Sequence, residues 1–182
     1  MNELGFSYRP ESVIAMHRPS PDLEGMKQRF TKIDFGDGTP PSLKFGSPEY
    51  IGGYDGQIVQ VEFHFFSITS IGTKSQVWEM LQAKGCYPTS AYGLYLLGNS
   101  PKFAPKDMGF CQEADFLILN DCWNDIDGKG KVDGVWSPRL SWDSRNGLSL
   151  NSFYLAEDDT RLTFRKLPLA GKVVVGVKNS IV

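Results

Sequence analysis

The stretch QIVQVEFHFFSITSIGTKSQVWEMLQAKGCYPTSAYGLYLLGNSP, residues 57–101, decides the fold. Its first part alternates: Val59, Val61, Phe63 and Phe65 fall on one side, Ile58, Gln60, Glu62 and His64 on the other. That predicts a strand with one clearly apolar face. From Ser70 to Lys84 the period changes. Thr73 or Ser75 can cap a helix, Val77, Trp78, Leu81 and Ala83 recur near helical spacing, and Gly85 stops it. Pro88-Thr89 then predicts the start of a second short helix carrying Ala91, Leu94, Tyr95 and Leu97. Residues 99–110 read as loop.

Outward from this block the pattern stays strand-rich. Phe116 to Leu119 reads as a buried strand, and strands and turns alternate from there to KVVVGVK at 172–178. Upstream, residues 1–54 are punctuated by Pro and Gly, which disfavours a long helix. FTKIDF, ahead of Gly36-Asp37-Gly38, can form one short strand. The expected organisation is an irregular N-terminal arm at 1–54 packed across a domain at 55–182. No internal repeat or low-complexity tract interrupts it.

Composition sets the outer bounds. At 182 residues, 41% hydrophobic and 22% charged, the chain fits one domain with an arm and can bury a core without staples. The 19 glycines, 11 prolines and 13% aromatic residues favour short strands and many loops. A net charge of −2, with Lys and Arg scattered, supplies no basic field, so neither nucleic acid nor anionic lipid is the expected partner. The N-terminal segment lacks signal-peptide character, and the longest apolar runs, Phe63–Ile68 and Val173–Val177, are too short to span a bilayer. Cys86, Cys111 and Cys122 cannot all pair with one another. Such a sparse, odd set reads as reduced thiols and a cytoplasmic location.

The order of elements carries a family resemblance. A strand, a helix with Trp78 near its start, and Gly85-Cys86-Tyr87-Pro88-Thr89 opening a second helix resemble the front half of the C-type-lectin-like fold. The Pro-Thr helix start is similar to the signature of formylglycine-generating-type domains on that fold. Trp123, the Asp127-Gly128 turn, Leu148, Leu150 and Thr163-Phe164-Arg165 extend the likeness to uncharacterised bacterial proteins. Some relatives on this fold serve as variable ligand-binding proteins of diversity-generating retroelements. The resemblance covers roughly residues 56–182. It implies an α+β domain in which two short helices pack on a small, mainly antiparallel sheet with long loops.

Two features depart from the sugar-binding members of that fold. Their disulfides need four cysteines, and their calcium site needs an upstream Glu-Pro-Asn or Gln-Pro-Asp triplet, which this chain lacks. Trp123-Asn124-Asp125 matches their calcium-holding Trp-Asn-Asp triplet, yet it stands far from its usual place near the C-terminus. A second metal reading is internal to the segment. Asp125, Asp127 and Asp133, with Lys129 and Gly130, follow a calcium-loop template, with Asp125 at its first position. Lys129 places a cation among the ligands, however, and Trp136 stands where the bidentate acid belongs. A solvated Asp-Gly hairpin turn explains the same residues and is favoured.

The remaining candidates are aromatic and polar. Three of the four tryptophans lie between residues 116 and 164, in apolar runs broken by Asp-Gly, Lys-Gly and Asn-Gly. Trp136, Trp142, Arg145, Asn151 and Tyr154 form the expected ligand surface: aromatic plates for burial, Arg and Asn for orientation. Each aromatic taken alone is more often core. Catalytic signatures are scarce. His17 and His64 are the near-neutral bases, and His64 with Cys86 or Cys122 is the pair a nucleophilic mechanism would need. Acid–base work by Asp121, Asp125, Asp127 and Asp133 competes with plain solvation. The leading expectation is a non-enzymatic binding module for a sugar, peptide or flat ligand, with its surface within 120–160. A structural or assembly protein, such as a phage or particle component whose arm holds a neighbouring copy in a homo-oligomer, is the second reading. An enzyme of formylglycine-generating type or a hydrolase is the third.

Overall fold

The computed structural model describes residues 10–16, 29–36, 38, 40, 58–67, 74–100, 102–126, 129–130, 132–156 and 172–181. In chain order these form β1 (Pro10–Met16), β2 (Phe30–Asp34), β3 (Ile58–Ser67), α1 (Lys74–Ala83), β4 (Tyr87–Pro88) and α2 (Ala91–Asn99). A 3-10 turn (Pro105–Met108) follows, then β5 (Glu113–Leu117), β6 (Trp123–Ile126), β7 (Val132–Asp143), β8 (Gly147–Ala156) and β9 (Lys172–Ile181). All nine strands belong to one sheet, in the order β1-β3-β9-β5-β7-β8-β2, with β4 beside β9 and β6 beside β7. The β5–β9 and β2–β8 pairings are parallel and the others antiparallel. The protein is therefore α+β and mainly antiparallel, but its sheet is wide rather than small.

Both edges of that sheet come from residues upstream of 54. Pro10 opens β1, the first position of an edge strand, where a missing N–H disturbs no ladder. The FTKID strand is present as β2, parallel to β8.

The two helices cover opposite faces. Ser90 caps α2 by accepting from the Gly93 N–H at 3.2 Å, and Asp121, itself at φ 62°, accepts from the Ala91 N–H at 2.9 Å. Leu94 and Leu97 of α2, with Phe103 beyond it, bury Phe63, Phe65, Phe116, Leu140, Leu150 and Val175 on one face. The Phe103 and Phe116 rings meet edge-on at 5.0 Å.

On the other face, Val77 and Leu81 of α1 bury Phe66, Leu117 and Val174. The α1 helix ends as its sequence predicts. Gly85 takes φ 64°, its N–H reaches Gln82 O, and Cys86 N–H reaches Leu81 O, a left-handed C-cap that only glycine adopts cheaply. Because both faces are covered here, His64 is fully buried although it lies on the more polar side of its strand. The run Val173–Val177 between Lys172 and Lys178 is apolar throughout for the same reason. Among the described residues no helix is long and apolar enough to cross a membrane.

Candidate functional site

The β7–β8 hairpin sets the geometry of the 120–160 segment. Asp143 Oδ1 accepts from the N–H groups of Arg145 (2.7 Å) and Asn146 (3.0 Å), and Gly147 closes the turn at φ 78°. Those backbone hydrogen bonds hold the Asp143 carboxyl below its usual pKa. The resulting register places Trp136 opposite Tyr154, Arg139 opposite Asn151 and Trp142 opposite Leu148.

The five residues expected to form one surface are thereby divided. Trp136 and Tyr154 are cross-strand neighbours whose rings meet edge-on at 5.5 Å. Trp142 lies six residues along β7, about 20 Å away at strand rise, and is buried in the main core at 8% exposure. Arg145 is exposed at the hairpin tip beyond it. Asn151 belongs to the opposite face, where its Oδ1 accepts from Arg139 Nε at 2.7 Å.

Around Trp136 a row of aromatic side chains forms. Trp123 of β6 is the register partner of Trp136, so Trp123, Trp136 and Tyr154 cross three adjacent strands on one face. Phe35 closes the row, edge-on to Trp123 at 6.0 Å. The segment Asp34-Phe35-Gly36 turns tightly, with Gly36 at φ 67° and its N–H on Asp34 Oδ1 at 2.9 Å. Gly38 then lays its backbone against the Trp123 indole; a Cβ there would lie 1.9 Å from Nε1. No other residue fits that position without moving Trp123.

These residues enclose a hollow of about 210 Å³ walled by Phe35, Trp123 and Trp136, with Asn124 and Ser152 as its polar side chains. Among the described residues no charged side chain lines it. It can hold one ring against indole and offer an amide and a hydroxyl to that ring's edge. Sequence reasoning reached Trp136, and it weighed Trp123 for the family resemblance and Trp123-Asn124 as part of a metal triplet, not as a ligand surface. It missed Phe35, Gly36, Gly38 and Ser152. The paired glycines of FGDG were the available signal, because closely spaced glycines after an apolar residue mark a backbone pressed against something bulky.

The other candidates stand apart from this hollow. Cys86 is buried, its thiol is pushed up in pKa by burial, and its Sγ donates to Lys84 O at 3.7 Å. His64 Nε2 lies 2.5 Å from Glu62 Oε1, and burial lowers the imidazole pKa while Glu62 opposes that shift. A thiol raised in pKa and shut from solvent is a poor nucleophile. Cys111 is exposed and Cys122 half-buried. His17 and Asp127 lie outside the described residues, as do the side chains of Asp125 and Asp133. The backbones of Asp125 and Asp133 belong to the paired strands β6 and β7, with Asp125 opposite Gly134. Among the described residues no group of acids, histidines or cysteines is arranged to hold a metal ion.

No family model, curated protein or solved structure matches the chain.

Proposed function

We propose that this chain is a non-enzymatic binding module on a C-type-lectin-like scaffold, and that its ligand lies in the hollow between Trp123, Trp136 and Phe35. The aromatic hollow carries the reading: it combines flat apolar walls with two hydrogen-bonding side chains at one point of the surface. Its volume suits a single ring, and a sugar ring presents both the C–H face and the hydroxyl edge these residues match. The succession of β3, α1, α2 and β5, with Pro88-Thr89 ahead of α2, supports the scaffold. The burial of Cys86, with its thiol pKa pushed up, weighs against that residue as a nucleophile.

Tryptophan emission tests the reading. Titration with a panel of monosaccharides should shift or quench the emission, and Trp136→Ala should abolish the response without lowering the unfolding midpoint by more than a few degrees. No response to any sugar, or an undiminished response in the Trp123→Ala/Trp136→Ala double variant, refutes it.

A further inference from the structure

On the sheet face opposite the aromatic row, the part of β5, β7, β8 and β9 beyond α1 carries charge instead of an apolar core. Asp115 (9% exposed) and Lys172 (8%) are buried side by side on the neighbouring strands β5 and β9, and Lys172 Nζ donates to Asp115 Oδ2. Ser141 Oγ donates to Asp115 Oδ1 at 2.7 Å, and Arg139 Nη1 reaches Asp115 Oδ2 at 3.5 Å. Two cations thus share one carboxylate, which leaves a positive charge at this point of the sheet. Burial pushes the Lys172 pKa down, with the Glu113 carboxylate opposing that shift.

Among the described residues Arg139 Nη2 meets no protein acceptor, and Asp115 is the one acceptor of the Lys172 ammonium, which has three protons to give. The Arg139 side chain is 24% exposed, so its second nitrogen is open to solvent and to a ligand rather than held inside the protein. Both cations border a hollow of about 320 Å³.

The rim of that hollow has the opposite sign. Glu113 and Asp143 stand directly opposite each other across β5 and β7, one step of about 7 Å along the strands from Asp115. Like charges in that relation repel at a Cβ separation of about 5 Å. A simple anion would gain at the floor and lose at the rim. A molecule with both poles satisfies the two levels together.

We propose that this hollow is a second binding site, for a small zwitterion of the α-amino-acid class. Its carboxylate meets Arg139 Nη2 and the Lys172 ammonium, and its ammonium meets Glu113 and Asp143. The full chain is screened by thermal melts and calorimetry against free amino acids, against acetate and propionate, and against amino-acid amides. At least one amino acid should bind, while carboxylates without the amine and amides without the carboxylate bind at least tenfold more weakly. Glu113→Gln, an exposed change that spares the fold, should cost about tenfold in affinity, the value of one charge-assisted hydrogen bond. Arg139→Gln should cost more, and Trp136→Ala, on the other face, nothing. Absence of binding by every amino acid, binding of acetate equal to that of an amino acid, or wild-type affinity in Glu113→Gln overturns the proposal.

Discussion

Gly176, in the middle of β9, is the position at which the packing of α1 can be tested most sharply. A Cβ on Gly176 would lie 2.7 Å from Leu81 Cδ2, 3.1 Å from Cys86 Cβ and 3.4 Å from Phe66 Cε2. Two effects of Gly176→Ala oppose each other. Removing glycine from a strand interior gains about 0.5–1 kcal/mol of backbone entropy. Forcing a methyl into a filled core costs about 1–3 kcal/mol. The Leu81 methyl could swing aside in an open site, but Leu81 is 2% exposed and Cys86 1%, and a Cβ attached to backbone cannot swing. Overpacking wins, by about 1–2 kcal/mol, a fall of roughly 2–8 °C in midpoint for a chain of this length. Urea unfolding followed by tryptophan emission measures it, with an unchanged m-value showing that stability alone has moved. Leu81→Ala by itself should cost about 2–5 kcal/mol. In the double variant the new methyl enters the vacated space, so the loss must be smaller than the sum of the two. A Gly176→Ala protein as stable as wild type, or a strictly additive double variant, refutes the placement of α1 on β9.

Asp115→Asn should destabilise by about 3 kcal/mol, because it leaves two cations without their shared carboxylate; adding Lys172→Met should recover most of that loss in the same urea assay. For His64, burial depresses the folded pKa, so below about pH 6.5 the unfolded chain binds a proton that the folded one resists. Stability is therefore greatest above that value and falls as pH drops toward the folded pKa. Urea midpoints measured from about pH 7.5 to about pH 5 should show this slope, and it should flatten in His64→Gln. A thiol-reactive dye should label Cys111 in the native protein and reach Cys86 only on unfolding; equal rates would contradict the burial of Cys86.

The sequence spoke clearly where one local rule acted alone. Alternation in VEFHFF, helical spacing in VWEML and the Gly85 stop located β3 and α1, and Pro88-Thr89 announced α2, although its cap is Ser90. The width of the sheet was hidden. PESVIAM shows proline and little alternation, and it becomes β1 only through non-local pairing with β3. Trp142 and Trp136 look alike in sequence, separated by an even number of residues on one strand. They differ in that Trp142 lies over the main core while Trp136 lies past it. The aromatic hollow joins residues 35–38 to 123–136 and 152. No periodicity within one segment reports on contacts made across such separations.

The position of β9 governs how the molecule is made. It sits between β3 on one side and β5 with β4 on the other, yet among the described elements the ribosome delivers it last. Until residues 172–181 emerge, β3 and β5 each present a bare edge, with Phe63, Phe65 and Phe116 still lacking their valine neighbours. The nascent chain must carry these open edges from the emergence of β3 and of β5 until β9 follows, the condition under which strands pair with the wrong neighbour. Yield in the cell should therefore depend on holdase chaperones more than the stability of the finished fold suggests. A nonsense codon just before Lys172 should give a chain that aggregates rather than one that folds in part.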